Sequence, residues 1–87
     1  NPYFLTALGL LGEVLHEAGA YEEAIAALQH APLLKRNLDD DLLKIHYCLG
    51  ACYESLGNKR KAVQHYRRVY TQDAGYRDVS QRLPMLQ

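Results

Sequence analysis

Apolar residues recur at helical spacing along most of the chain, and the breaks fall at Gly, Pro or runs of acids. Phe4, Leu8, Leu11 and Leu15 share one face at intervals of three or four, which predicts a helix from Tyr3 to about Ala18. Asn1 and Pro2 precede it, a capping side chain followed by a residue tolerated in a first helical turn. Gly19 ends this helix, since Gly takes the left-handed C-terminal conformation without strain. A second helix then starts near Tyr21 behind a poor cap, Ala20. Its first turn carries Glu22 and Glu23, which favour the positive end of the helix dipole. Pro32 predicts the close or a kink of that helix, and Leu33 to Asn37 carry no clear pattern. Asp39, Asp40 and Asp41 offer a cap and first-turn carboxylates to a third helix, from about Asp40 to Leu56. Asn58 caps a fourth, to about Gln72. Tyr76, Val79, Leu83 and Leu86 then form a last stripe, interrupted by Pro84.

The first two predicted helices and the next two are versions of one pattern. Relative to Ala24, the residues Leu11, Gly12, Leu15, Gly19, Leu28 and Ala31 occupy fixed offsets. Relative to Ala62, the same offsets hold Leu49, Gly50, Tyr53, Gly57, Tyr66 and Val69. The Leu-Gly pair and the later Gly are identical, and the other positions stay apolar. Small residues at Gly12 and Ala24, and again at Gly50 and Ala62, let paired helices approach closely.

This pattern resembles the tetratricopeptide repeat (TPR): Leu-Gly, a large apolar or aromatic residue, Gly, Ala, an aromatic and Ala. The resemblance covers about residues 5–76, with one repeat at about 5–38 and another at about 43–76. Ala62 follows Ala24 by 38 positions, four more than the usual repeat of about 34 residues, and the surplus is placed between the repeats. The last stripe, at about 76–86, resembles the helix that often caps such an array. The resemblance therefore implies an all-α fold of five helices in a single domain. Two antiparallel hairpins would form a right-handed α-solenoid closed by the capping helix.

It also implies a function class. The first helix of each TPR lines a concave groove that holds a peptide or helix of another protein. Matched to this chain, the groove positions are Thr6, Gly9, Glu13, His16 and Glu17, then Lys44, Tyr47, Ala51, Glu54 and Ser55. Three carboxylates, Glu13, Glu17 and Glu54, stand there against Lys44, which suits a neutral or basic partner segment. Chaperone-binding TPR domains clamp a C-terminal carboxylate with Lys, Asn and Arg from groove helices. Here Gly9 and Glu13 stand where the first of those contacts would be expected.

Composition narrows the alternatives. An apolar fraction of 48% and a formal charge of zero describe an ordinary globular chain rather than a disordered one. The charge is segregated, however. Residues 1–31 hold four Glu and no Lys or Arg, whereas residues 59–68 hold Lys59, Arg60, Lys61, Arg67 and Arg68 and no acid. Cations in the first turn of a helix oppose its dipole, so the fourth helix carries a candidate surface for an anionic or nucleic-acid partner. Against nucleic acid, the net charge of the chain is zero.

Cys48 and Cys52, one turn apart, could supply two metal ligands, but His46 points to another side of the helix and zinc needs about four. They read as small residues packed between helices, and no metal or other cofactor is expected. No catalytic constellation or phosphate loop is recognisable, so the reading is not an enzyme. No apolar run approaches membrane-spanning length. The absence of a disulfide framework gives a cytoplasmic default. Asn1 in place of an initiator Met reads as a piece of a longer protein, and the compact repeats with a YRDV cap look bacterial. Two repeats fall short of the usual three, so self-assembly through an exposed apolar end is the rival to a partner-binding module.

Overall fold

Local capping and turn chemistry set the ends of the helices. The computed structural model describes all 87 residues and contains five helices: α1 (Phe4–Glu17), α2 (Tyr21–Leu28), α3 (Asp40–Ser55), α4 (Lys59–Gln72) and α5 (Val79–Leu86). Gly19 and Gly57 adopt φ of 78° and 81°. In each case the next amide reaches back five residues, Ala20 N to Leu15 O and Asn58 N to Tyr53 O. This repeated left-handed stop turns the chain so that α2 lies back along α1, and α4 along α3. The Asp39 carboxylate accepts from Leu42 N at 2.9 Å and the Asn58 amide oxygen from Lys61 N at 3.2 Å, capping α3 and α4 as their positions imply.

Three boundaries differ from expectation, each for a local reason. Asn1 does not cap α1. Its side-chain oxygen accepts from Tyr3 N at 2.9 Å, closing a turn before the helix, which begins at Phe4 with no side-chain cap. Helix α2 stops at Leu28, well before Pro32. Pro32 has no N–H to offer the Leu28 carbonyl and disfavours helical geometry in the residue before it. The Leu28 carbonyl accepts instead from Ala31 N at 3.1 Å, a tighter turn that unwinds the end of the helix. The capping helix begins at Val79, after Tyr76, because Arg77 has a positive φ of 44°. It also runs through Pro84 to Leu86. The acceptor that Pro84 leaves without a partner belongs to exposed Ser80, where water can satisfy it.

The helices stack in sequence as antiparallel neighbours. Helix α3 is central, packed against α1, α2 and α4, and half of its 16 residues are buried. Helix α5 lies on α4, its Val79 and Leu83 closing that end of the core. At the other end the α1 stripe is only partly covered: Leu8 is buried, but Phe4 and Leu11 stay exposed because nothing packs outside α1.

Each hairpin closes around a glycine. A Cβ on Gly12 would lie 2.8 Å from Leu28 Cδ2, and one on Gly50 would lie 2.7 Å from the Tyr66 ring. Ala24 and Ala62 are fully buried on the facing helices. Both side chains are fully buried, but Leu28 is a smaller, flexible side chain, whereas the Tyr66 ring is rigid and its hydroxyl donates to Glu54 at 2.9 Å. Gly50→Ala should therefore lower stability by about 1–3 kcal/mol. Gly12→Ala should cost less. Urea denaturation of both variants checks the order, and equal midpoints would contradict it.

Candidate functional site

The ten residues matched to groove positions lie on α1 and α3, as the helix assignments require, but their side chains do not form one open surface. Thr6 donates to the Asp41 carboxylate at 2.9 Å. Gly9 is buried, with Lys44 Cδ only 3.1 Å from where a Cβ would stand, so it offers room for the lysine stem. Lys44 Nζ lies 3.3 Å from Glu13 Oε1. His16 tilts against Tyr21 with ring centroids 5.3 Å apart. Glu17 and Ser55 are exposed and Ala51 half-buried.

The segment between α4 and α5 engages this face. Arg77 lies 3.4 Å from Glu13 Oε2, and its guanidinium sits 5.1 Å from the Tyr47 ring centroid and 5.3 Å from that of Tyr76. Such cation–π contacts are worth about 0.5–1 kcal/mol each when exposed. Together they offset the left-handed backbone that brings Arg77 there, a conformation costing of order 1–3 kcal/mol for a non-glycine residue. Tyr47 donates its hydroxyl to Asp78, and Asp78 accepts from Arg82 Nε at 2.9 Å. Arg82 then reaches Glu54 at 2.9 Å, which also accepts from Tyr66. Burial opposes ionisation of Asp78, but the Tyr47 hydroxyl and Arg82 outweigh it and hold the carboxyl below its usual range. Burial, followed by the bond to Glu54, pushes the Tyr66 hydroxyl well above its usual value and keeps it a donor.

Three of the four groove charges, Glu13, Glu54 and Lys44, are thus already paired within the chain. Glu13 and Glu54 pair with Arg77 and Arg82, residues the repeat pattern gave no reason to place here. What remains open is a cavity of about 210 Å3 lined by Glu13, His16, Glu17, Ala51 and the two arginines, among others. Glu17 is the groove acid without an ion-pair partner.

Cys48 and Cys52 are buried within the core cluster, consistent with a packing role. A hydrogen bond to Cys52 and burial push the Cys48 thiol up, so it stays protonated. No group of three or more His, Cys, Asp or Glu is placed to hold a metal ion, and no helix is long and apolar enough to cross a membrane.

The family model for the tetratricopeptide repeat matches residues 3–73, most of the chain. The chain belongs to the tetratricopeptide-repeat family. Neither curated proteins nor solved structures give a match. The TPR assignment accounts for the two hairpins and the closing helix, and places the chain in a family known for protein–protein interaction.

One feature of the TPR hairpin α3–α4 has no counterpart in the sequence reading. His46 is buried, and its Nδ1 lies 3.0 Å from His65 Nδ1. One ring must donate and the other accept, so the two neutral rings share one proton across that contact. Burial and the charge of Arg68 push His46 down to about 4; burial, His46, Lys61 and Arg68 do the same to His65. The faces carrying them were unreadable because the residues are 19 apart on different helices.

An unfolded His binds its proton near pH 6.5 and the folded pair only near 4, so the unfolded chain holds more protons in between. Stability should fall as pH drops from about 6.5 toward 4, by of order 2–3 kcal/mol for His46 alone. Urea midpoints at pH 7 and pH 5 measure it. Replacing both rings, His46→Gln with His65→Gln, should flatten the dependence; an unchanged slope would place its origin elsewhere.

Proposed function

We propose that this TPR domain binds a basic or neutral segment of another protein on the α1–α3 face, in the open region beside Glu17. The observation that carries this reading is the exposed Glu17 next to His16 and Ala51, an acid left without a partner where its neighbours Glu13 and Glu54 have one. Tyr47 supports it less directly, because its hydroxyl and ring are engaged by Asp78, Arg77 and Tyr76. Affinity would come from apolar and aromatic anchoring, and the acid would select among partners by charge.

An array of peptides graded in net charge tests the reading. Basic members should bind the natural domain, and Glu17→Lys should weaken them about tenfold, a loss of about 1.4 kcal/mol. Glu17 is exposed and takes part in none of the ion pairs, so this variant should fold normally. Binding that ignores peptide charge, or that survives Glu17→Lys unchanged, removes the proposal. Variants at Glu13 or Tyr47 are unsuitable, since both also hold the segment before α5.

Self-assembly is a second reading, favoured by the uncovered side of α1, where Tyr3, Leu10 and Val14 are 74%, 51% and 63% exposed. Sedimentation across a range of concentrations should then show a mass increase that Val14→Glu abolishes. A monomer at every concentration would leave the partner-binding reading alone.

A further inference from the structure

The largest cavity in the molecule lies away from the face just described. It has a volume of about 830 Å3, within the range of about 300–1,000 Å3 typical of small-molecule sites. The segment after α2 forms one wall with Ala31, Pro32, Leu33 and Leu34, and α3 and α4 supply the other. On α3 the contributors are His46 and Tyr53, which lie on a different side of the helix from Tyr47, Ala51 and Glu54.

Its charge is one-sided. Lys35, Lys61 and Arg68 line the cavity, no Asp or Glu does, and none of the three cations forms an ion pair. Arg68 is held at the cavity by a hydrogen bond to the Lys35 carbonyl, which ties α4 to the inter-repeat segment. Lys61 Nζ sits 5.4 Å from the Tyr53 ring centroid, and that ring stacks on His65 at 5.7 Å. His46, only 2% exposed, lines the same space; its Nε2 makes no well-formed hydrogen bond, although the Leu33 backbone lies close enough to act on the ring. Leaving such an atom unpaired is unfavourable. Three cations gathered without counter-ions add repulsion. An anion in the cavity relieves that repulsion.

We infer that this cavity binds a phosphate monoester carried on an apolar or aromatic body, the phosphate meeting Lys35, Lys61 and Arg68 and the body lying against Pro32, Leu33 and Leu34. Arg68 keeps N–H groups beyond the one given to Lys35, and an arginine fork matches phosphate oxygens. The site is independent of the α1–α3 face, so either proposal can fail alone.

Phenyl phosphate is the probe, with inorganic phosphate and phenol as controls, followed by the ring resonances of His46 and His65. Phenyl phosphate should give saturable shifts at both rings, with an affinity at least about tenfold above inorganic phosphate, and phenol should give none. Lys61→Gln and Arg68→Gln should each weaken phenyl phosphate by about tenfold, whereas Lys59→Gln, on the same helix but outside the cavity, should change it less than about twofold. Absence of saturable shifts overturns the inference. Equal losses from Lys59→Gln would overturn it too, since they would mean diffuse attraction to a basic surface. Inorganic phosphate binding as tightly as phenyl phosphate would overturn the role of the apolar wall.

Discussion

The close approach of α3 and α4 at Gly50 underlies the second half of the molecule. Because Gly50 has no side chain, the Tyr66 ring lies flat enough against α3 for its hydroxyl to reach Glu54. Glu54 in turn receives Arg82, Arg82 holds Asp78, and Asp78 receives Tyr47. A hydroxyl, two carboxylates, a guanidinium and a second hydroxyl thus connect three helices, beginning from one missing methyl group. Such chains are worth more when every member is satisfied, since each polar atom is partly removed from water. The first hairpin has the same close approach at Gly12 but ends in Leu28, which continues no network. The two repeats share a packing rule and differ in what is built on it.

Features specified by neighbouring residues were legible in the sequence. The stops at Gly19 and Gly57, the caps at Asp39 and Asn58, and the spacing of small and large apolar residues all act within one turn or one hairpin. The second-helix terminus was misplaced because Pro32 acts backwards along the chain, unwinding the residues before it. Tyr76 belonged by spacing to the last helix, but Arg77 breaks that register and sends the tyrosine toward Tyr47. The candidate face was legible as a set of positions and not as a surface. Its helices followed from the repeat, whereas the pairing of Glu13 with Arg77 and Glu54 with Arg82 spans 64 and 28 residues. No periodicity carries information over such distances.

Charge divides the protein more sharply than its zero net value implies. The cations that find carboxylates are Lys44, Arg77 and Arg82, gathered on the α1–α3 side and under α5. Lys35, Arg36, Lys59, Arg60, Lys61, Arg67 and Arg68 find none, and all belong to α4 or the segment between the repeats. The basic stretch noted in the sequence therefore faces water and the large cavity, and the pair of buried His46 and half-buried His65 stays neutral in its field.

The two ends of the stack are unlike. Helix α5 turns Ser80, Gln81 and a single large apolar residue, Met85, outward, whereas α1 presents Leu10 and Val14, with Tyr3 just before it. A contact through the α1 side would use the same patch on both copies and be related by a two-fold axis. Each copy would then present only its α5 end to the outside. Such an assembly closes at two, because the contact uses up the patch on each copy.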